Sequence, residues 1–239
     1  AIGSTIKIYS SMNMLFYASS VFALLSIVIL MNMKETLKHK QRFSLRILRI
    51  SRKDIIAVEV LPAAIVTFLS YMAYGVILTL IPDWSQYLGI TNKGLFFMVF
   101  TITSVMIRFG AGKASDKYGR LHLIGIGLFF LIISLVIVGF STSISGLLIG
   151  AAIYGISTGI VSPALNAWTV DMSFPDHRGK AMATMYIALE AGIGLGALVA
   201  GWMYQDVIAK IPMLMYASAA MVFLALTYVW MRLRNTKSA

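Results

Sequence analysis

Seven apolar segments, each about as long as a lipid bilayer is thick, limit what this chain can fold into. They lie near residues 12–33, 57–81, 94–111, 121–140, 144–170, 181–204 and 212–231. A helix rises 1.5 Å per residue, so about 20 apolar residues cross a hydrocarbon core of roughly 30 Å. Charged residues make up only 12% of the 239 residues, about half the share of a typical soluble domain. The sequence therefore predicts an all-α, polytopic membrane protein with about seven transmembrane helices.

The basic residues between these segments predict the orientation of the chain. Lys and Arg collect in the cytoplasmic connections of membrane proteins. Alternate connections place 17 of the 20 basic residues on one side and only Lys7, Lys93 and Lys210 on the other. We therefore predict a protein of the inner membrane with its N-terminus outside and its C-terminus in the cytoplasm. The net charge of +11 follows from these connections, so the expected partner is membrane lipid and not nucleic acid.

Residues 34–55 form the one long connection, and they separate the first predicted helix from the other six. Four of its basic residues follow a 4-3-4 spacing that places them on one helical face, namely Arg42, Arg46, Arg49 and Lys53. Such a face suits a short helix lying on anionic lipid, and the same charges also suit a loop that is simply retained inside. The predicted domains are a single helix in 1–33, a basic cytoplasmic linker in 34–55 and a six-helix bundle in 56–239.

A polar segment, GKASDKYGRLH at residues 112–122, separates two of the apolar runs. Gly112 would let a helix end pass close to its neighbour, and Gly119 can adopt a positive φ in a tight turn. Asp116 can accept hydrogen bonds from a helix start. Arg120 needs an acid near the membrane, and Asp171, at another predicted cytoplasmic helix end, is the expected partner. These residues predict a cytoplasmic gate, with a plain solvated turn as the alternative.

The same segment resembles the G-x-x-x-D-(R/K)-x-G-R signature of the major facilitator superfamily, which it matches at Gly112, Asp116, Lys117, Gly119 and Arg120. In that family the signature lies between the second and third helices of a six-helix half, and here it follows the second of six. The resemblance implies that Asp116 caps a helix of the other half. It also implies that Arg108 belongs to the gate, although a side chain that reaches the cytoplasmic surface is an alternative for Arg108.

A second resemblance covers residues 162–202. Asp171, a turn with Pro175, Arg178 and Gly179, and then a glycine-rich helix are similar to the fourth-to-fifth helix region of a half in this family. The glycines of that helix are Gly192, Gly194, Gly196 and Gly201. They resemble loosely the glycine-rich motif of the family's antiporters, and ordinary small packing residues are the alternative. Either interpretation predicts a tightly packed helix pair.

Together these resemblances imply the C-terminal half of a twelve-helix transporter, preceded by the last helix of the N-terminal half. The missing N-terminal half is then an expected partner, and the start at Ala1 suggests a processed or excised chain. The implied function is transport of a small solute by alternating access, as proton-coupled efflux. The alternative is a non-transporting fragment, or a half-length protein that requires a partner half.

Polar and aromatic residues within the predicted helices indicate where a solute or a proton could bind. Glu190 lies near the predicted bilayer midplane, where a carboxyl group could carry a proton or instead fix helix packing. The first and fourth helices of a half line the cavity in the family. In this sequence they offer Tyr71, Tyr74, Gly75, Tyr154, Thr158, Asn166 and Trp168, with Pro163 as a possible kink. Such walls suit an amphipathic or hydrophobic solute.

An enzyme, a metal site and a retinal protein are the classes that the sequence disfavours. The chain contains no Cys, and its three His residues, His39, His122 and His177, lie in or beside predicted cytoplasmic connections. No nucleophile with a base and no set of metal ligands is apparent. A retinal protein would need a Lys in the last helix, and residues 212–231 contain none. We expect neither catalysis nor a cofactor.

Overall fold

The computed structural model describes residues 12–31 and 56–237, and every regular element within these ranges is helical. The long helices are α1 (Met12–Met31), α2 (Leu61–Tyr87), α3 (Leu95–Tyr118), α4 (Arg120–Phe140), α5 (Ile144–Met172), α6 (Arg178–Tyr204) and α7 (Ile211–Lys237). Short 3-10 turns precede α2, α6 and α7 at Val58–Val60, Pro175–His177 and Ile208–Lys210. Each long helix is apolar enough to cross a membrane. The predicted all-α, polytopic fold with seven spans is confirmed.

The chain divides into two units, Ala1–Ser51 and Arg52–Ala239. The first unit contains α1, a 20-residue helix. The second contains α2 to α7 and every site discussed below. The basic face proposed within residues 34–55 lies outside the described residues, so it stays a prediction, as do the domain identities.

Local sequence explains where several of the helices begin and end. Pro62 stands in the first turn of α2, where a missing N–H costs nothing. Ser143 caps α5 by accepting a hydrogen bond from the backbone N–H of Gly146 at 3.2 Å. Gly119 ends α3 with a φ of 90°, a conformation that residues with a Cβ rarely adopt.

Helix α3 is longer than its apolar run predicted. We expected the helix to end near residue 111, but it continues to Tyr118, and only Gly119 separates it from α4. Lys113 and Lys117 are exposed, and lysine is a good helix former, so polarity alone does not end the helix. The predicted polar turn is therefore mostly helical.

The six helices of the second unit pair in a pattern with internal symmetry. Helix α2 packs on α6 and α3 on α5, while α4 packs on both α5 and α7, and α7 also packs on α2. If α2 is exchanged with α5, α3 with α6 and α4 with α7, the same set of helix pairs is obtained. Two three-helix repeats of opposite topology produce such a pattern, so the helix pairing supports an inverted repeat within this unit.

Glycines allow the closest of these crossings. A Cβ built on Gly196 would overlap the carbonyl oxygen of Met72, and one on Gly192 would lie 2.5 Å from that of Phe68. Gly155 and Gly159 approach the α3 backbone in the same way, 2.5 Å from the Phe100 oxygen and 2.8 Å from the Ser104 oxygen. Both pairs show the small-xxx-small spacing of tightly packed membrane helices.

Not all of the predicted packing glycines take part in this contact. A Cβ on Gly194 or Gly201 would meet no atom of the described residues within 4 Å. Both residues are exposed on the surface of the six-helix unit. Within this unit the tightly packed helix pair predicted from these glycines is therefore formed by Gly192 and Gly196 alone.

The core lies mainly between α2, α4, α5 and α7. Ile77, Leu128, Leu165 and Met215 are at most 1% exposed, and lipid is as apolar as these side chains, so close packing holds them together. Helices α3 and α6 take the smallest part in this core. Only 17% and 22% of their spanning windows are buried, against 39% or more for the other four helices of the unit.

Candidate functional site

One guanidinium joins three helix ends at the boundary between α3 and α4. Arg120 is the first residue of α4, and its Nε donates a hydrogen bond to Oδ2 of Asp171 at 2.9 Å. Its Nη1 donates to Ser115 Oγ at 3.1 Å and to a carboxylate oxygen of Asp116. Asp171 lies in the last turn of α5, and Ser115 and Asp116 lie near the end of α3. The pairing of Arg120 with Asp171 that we predicted is present, and we call these four residues the gate cluster.

Other predicted gate residues have different surroundings. Asp116 contacts Arg120, whereas we expected it to face the other half of a transporter; its side chain is nevertheless 69% exposed. Lys117 is exposed beside the ring of Tyr118. A Cβ on Gly112 would meet no described atom within 4 Å, so the close helix approach expected there is absent from this unit.

A cleft of about 170 Å³ opens between α2, α3 and α5. Three of the predicted solute-binding tyrosines, Tyr71, Tyr74 and Tyr154, line it together. Thr158 lies on the same wall, one helical turn after Tyr154, and Phe100 closes the α3 side. The structure thus brings residues 83 positions apart in the sequence into one aromatic site.

The rings of this cleft contact one another. The centroids of Tyr74 and Tyr154 are 6.4 Å apart with near-parallel planes, while Phe100 meets Tyr154 edge-on at 5.4 Å. Tyr71 stands edge-on to Tyr74 at 6.2 Å. Tyr154 is 1% exposed and anchors the group. Such an arrangement offers both ring faces and ring edges to an aromatic solute.

Arg108 also lines the cleft, whereas the sequence suggested that it belongs to the gate or reaches the cytoplasmic surface. Ten residues separate it from Tyr118 at the end of α3, about 15 Å along the helix. The gate cluster is formed without it. The prediction placed Arg108 too close to the helix end because it ended α3 at residue 111.

Asn166 lines a second cavity of about 160 Å³ with Thr67 and Tyr186. Tyr71 and Ser162 line both this cavity and the aromatic cleft. Asn166 is therefore a neighbour of the aromatic site, with Tyr71 and Ser162 between the two.

The remaining predicted residues lie outside both cavities. Glu190 is near the middle of α6 but is exposed on the surface of the six-helix unit. Trp168 is only 8% exposed and belongs to the core. Gly75 packs against the α6 backbone at Ile193, so Trp168 and Gly75 do not form cavity walls as expected. Pro163 lies inside α5, which continues through it.

Four polar or aromatic residues of the cleft were not predicted: Ser70, Phe100, Ser157 and Ser162. Helical spacing could have found Ser157, which is three residues after Tyr154 and so shares its face. Phe100 comes from α3, and no periodicity within one helix shows which neighbouring helix closes a cleft. Among the described residues there is no group of three or more His, Asp or Glu side chains placed to hold a metal ion.

The inverted helix pairing, the seven apolar spans and the aromatic cleft define a polytopic α-helical membrane protein of the kind built from repeated three-helix units. Residues 63–239 match the model of the Major Facilitator Superfamily. The chain belongs to that family.

Two relatives have named resistance functions. The chain is 26% identical over 167 residues to Multidrug resistance protein 1 of Bacillus subtilis (strain 168), covering 69% of the chain and 43% of the relative. It is 27% identical over 140 residues to Quinolone resistance protein NorA of Staphylococcus aureus, covering 58% of the chain and 36% of the relative. The chain therefore spans less than half the length of the curated relatives it matches.

Two solved structures share the fold. A peptide transporter, POT, in complex with sulfate superposes with a TM-score of 0.59 at 19% identity, over 71% of this chain and 36% of that one. The human organic anion transporter MFSD10 (TETRAN) gives a TM-score of 0.59 at 20% identity, over 74% of this chain and 47% of that one. At these identities the likeness shows the fold alone.

Proposed function

We propose that this chain is the C-terminal part of a secondary transporter that moves a small amphipathic solute across the membrane by alternating access, as efflux. The observation that carries the proposal is the aromatic cleft, in which Tyr71, Tyr74 and Tyr154 meet between α2, α3 and α5. A concave, mostly apolar site with a few polar groups is typical of small-molecule binding. The named resistance relatives support efflux as the direction.

The exposed faces of α3 and α6 support a missing N-terminal half as the partner. These two helices are the least buried in the six-helix unit, and each carries large exposed apolar side chains, such as Phe109 on α3 and Leu198 on α6. In this proposal the other half packs on both helices and completes the solute site. Helix α1 is then the last helix of that half, and residues 34–55 are the linker.

The gate cluster supplies a contact that can form in one state of such a transporter and break in the other, the two states being open to opposite sides of the membrane. Arg120 holds the ends of α3 and α5 together through Asp116 and Asp171, while Asp116 remains largely exposed. A helix start of the other half could bind that carboxylate. We place this side in the cytoplasm, with the C-terminus, because most of the basic residues lie there.

Glu190 is the proposed proton carrier. It lies 12 residues from the start of α6 and 14 from its end, about 18 Å and 21 Å along the axis. A carboxyl at that depth needs a partner or a proton, and the exposed α6 face is where the other half would supply its surroundings. Proton coupling rests on this placement.

A transport assay tests the proposal. The complete polypeptide is reconstituted in liposomes with an imposed pH gradient, and accumulation of a fluorescent quinolone is followed. Tyr74→Ala should lower the accumulation rate about tenfold, since the ring wall is lost. Tyr87→Ala removes an exposed tyrosine at the end of the same helix and should leave the rate unchanged. Equal rates in all three proteins would contradict the proposed site.

A half-length protein that requires a partner is the second candidate, favoured by the exposed surfaces of α3 and α6. The same assay tests the need for a partner. Transport by the chain alone in liposomes would contradict both candidates. Transport that appears only when a separate N-terminal half is co-expressed would show that the chain requires a complementary half.

A further inference from the structure

Within the described residues, the aromatic cleft contains a positive charge and no acidic side chain. Arg108 lines the cleft on the α3 side, and its guanidinium carries its charge at any physiological pH. None of the residues that line this cleft or the adjoining cavity of Asn166 is acidic. Arg108 also takes part in none of the salt bridges formed within the described residues. Within a membrane such a charge is costly unless something compensates it.

A buried hydroxyl in the same cleft also lacks a partner. Ser157 is completely buried, and its Oγ makes no hydrogen bond within the described part of the chain. It lines the cleft together with Ser162 and Arg108. Buried polar groups in proteins are nearly always hydrogen-bonded, so this hydroxyl is available to a polar atom of a water or a solute bound in the cleft.

The charged and apolar parts of the cleft are separated along α3. Phe100 and Arg108 both line it, and eight residues between their positions correspond to about 12 Å of helix. Phe100 belongs to the ring group with Tyr74 and Tyr154. The cleft therefore has a cationic end and an aromatic end at a distance that one small organic molecule can bridge.

We infer that the cleft selects amphipathic organic anions, whose carboxylate or similar group binds the Arg108 guanidinium while a ring packs against Phe100, Tyr74 and Tyr154. Arginine presents a planar fork that binds a carboxylate through two parallel hydrogen bonds. A ligand with an ammonium group would place two like charges together in a site of low polarity. As a substrate class this inference rests on the proposed transport function, although binding is measurable without transport.

Three naphthalene probes of equal size test the charge selectivity. Naphthoate is an anion, naphthamide is neutral, and naphthylmethylammonium is a cation. Their dissociation constants are measured by fluorescence with the complete polypeptide in lipid nanodiscs. Naphthoate should bind at least about tenfold more tightly than naphthamide, as expected for hydrogen bonds to a charged group. Equal binding of the three probes would overturn the inference, and this measurement needs no variant.

Substitutions then locate the charge. Arg108→Gln should abolish the preference for naphthoate over naphthamide, and Arg108→Lys should retain a smaller preference, because it keeps the charge and loses the fork. Lys113→Gln removes an exposed cation five residues further along α3 and serves as the matched control. If Lys113→Gln lowers the preference as much as Arg108→Gln does, general surface charge explains it and the inference fails.

Binding measurements test the anion site, and transport measurements test the proposed transport function. Selective, Arg108-dependent binding without transport of any probe in liposomes would uphold the anion site and contradict the transport function. Transport of the ammonium or the neutral probe, without selective binding of naphthoate, would uphold transport and overturn the anion site.

Discussion

Arg120 and Asp171 are 51 positions apart in the sequence, and the Nε of the first lies 2.9 Å from Oδ2 of the second. Asp116 accepts a second hydrogen bond from the same guanidinium, one helical turn before it. One arginine thus has two carboxylates from two different helices as partners. This arrangement turns three separate helix ends into one electrostatic unit, because moving any one of them breaks a charge-assisted hydrogen bond.

Charge reversal tests this unit. Arg120→Asp or Asp171→Arg alone should lower both the melting temperature and the transport rate, since each places like charges together. The double reversal should recover most of the loss. Exposed pairs contribute about 0.2–1 kcal/mol, and we expect a coupling free energy within that range, because Asp171 is 51% exposed although Arg120 is only 25% exposed. Thermal unfolding of all four proteins measures it.

Asp176→Arg provides the control for the reversal at Asp171, because Asp176 is an exposed acid a short distance along the chain. It should change the melting temperature by less than either single reversal. A double reversal no better than the worse single variant would show that Arg120 and Asp171 do not act as a pair.

Alanine at two neighbouring glycines of α6 should shift stability in opposite directions. Gly194→Ala should stabilise this chain by up to about 1 kcal/mol, because alanine favours a helix and the added methyl would meet no described atom within 4 Å. Gly196→Ala should destabilise it by about 1–3 kcal/mol, because the methyl would overlap the Met72 carbonyl and push α2 and α6 apart. Thermal unfolding in the same detergent compares the two. Equal shifts would contradict the close crossing.

The buried indole of Trp84 depends on one hydroxyl. Its Nε1 donates a hydrogen bond to Ser141 Oγ at 3.0 Å, and Trp84 is only 6% exposed. Ser141→Ala should therefore lower the free energy of unfolding by about 1–3 kcal/mol, the range for a buried donor left without a partner. Thr142→Ala removes an exposed hydroxyl at the next position and should cost less than about 0.5 kcal/mol. A similar loss of stability in both variants would show that any change in this loop destabilises the protein, and that the hydrogen bond to Trp84 is not the cause.

Glu190→Gln tests proton coupling. The amide keeps the size of the side chain and cannot carry a proton, so pH-driven accumulation should fall to background while probe binding persists. Glu59→Gln makes the same chemical change at the start of the helical segment before α2 and should leave accumulation intact. Accumulation that still follows the pH gradient in Glu190→Gln would remove Glu190 from the coupling step.

The lengths of the apolar segments predicted the membrane spans well, because each helix must match the thickness of the bilayer whatever its neighbours are. The end of α3 was missed since Gly119, and not the charge of Lys113 or Lys117, ends that helix. The two kinds of glycine on α6 could have been separated: Gly192 and Gly196 are four residues apart and share a face, while Gly194 lies on another. Arg108 could not have been placed, because its position in the cleft depends on how α3 lies against α2 and α5.

Gly119 is the whole connection between α3 and α4. Successive Cα atoms are about 3.8 Å apart, so the two helix ends cannot separate by more than the reach of a single residue, however the rest of the bundle moves. The single-residue connection therefore keeps the ends of α3 and α4 together. A displacement at the C-terminal end of α3 is therefore passed directly to α4, and through the side chain of its first residue, Arg120, to the end of α5.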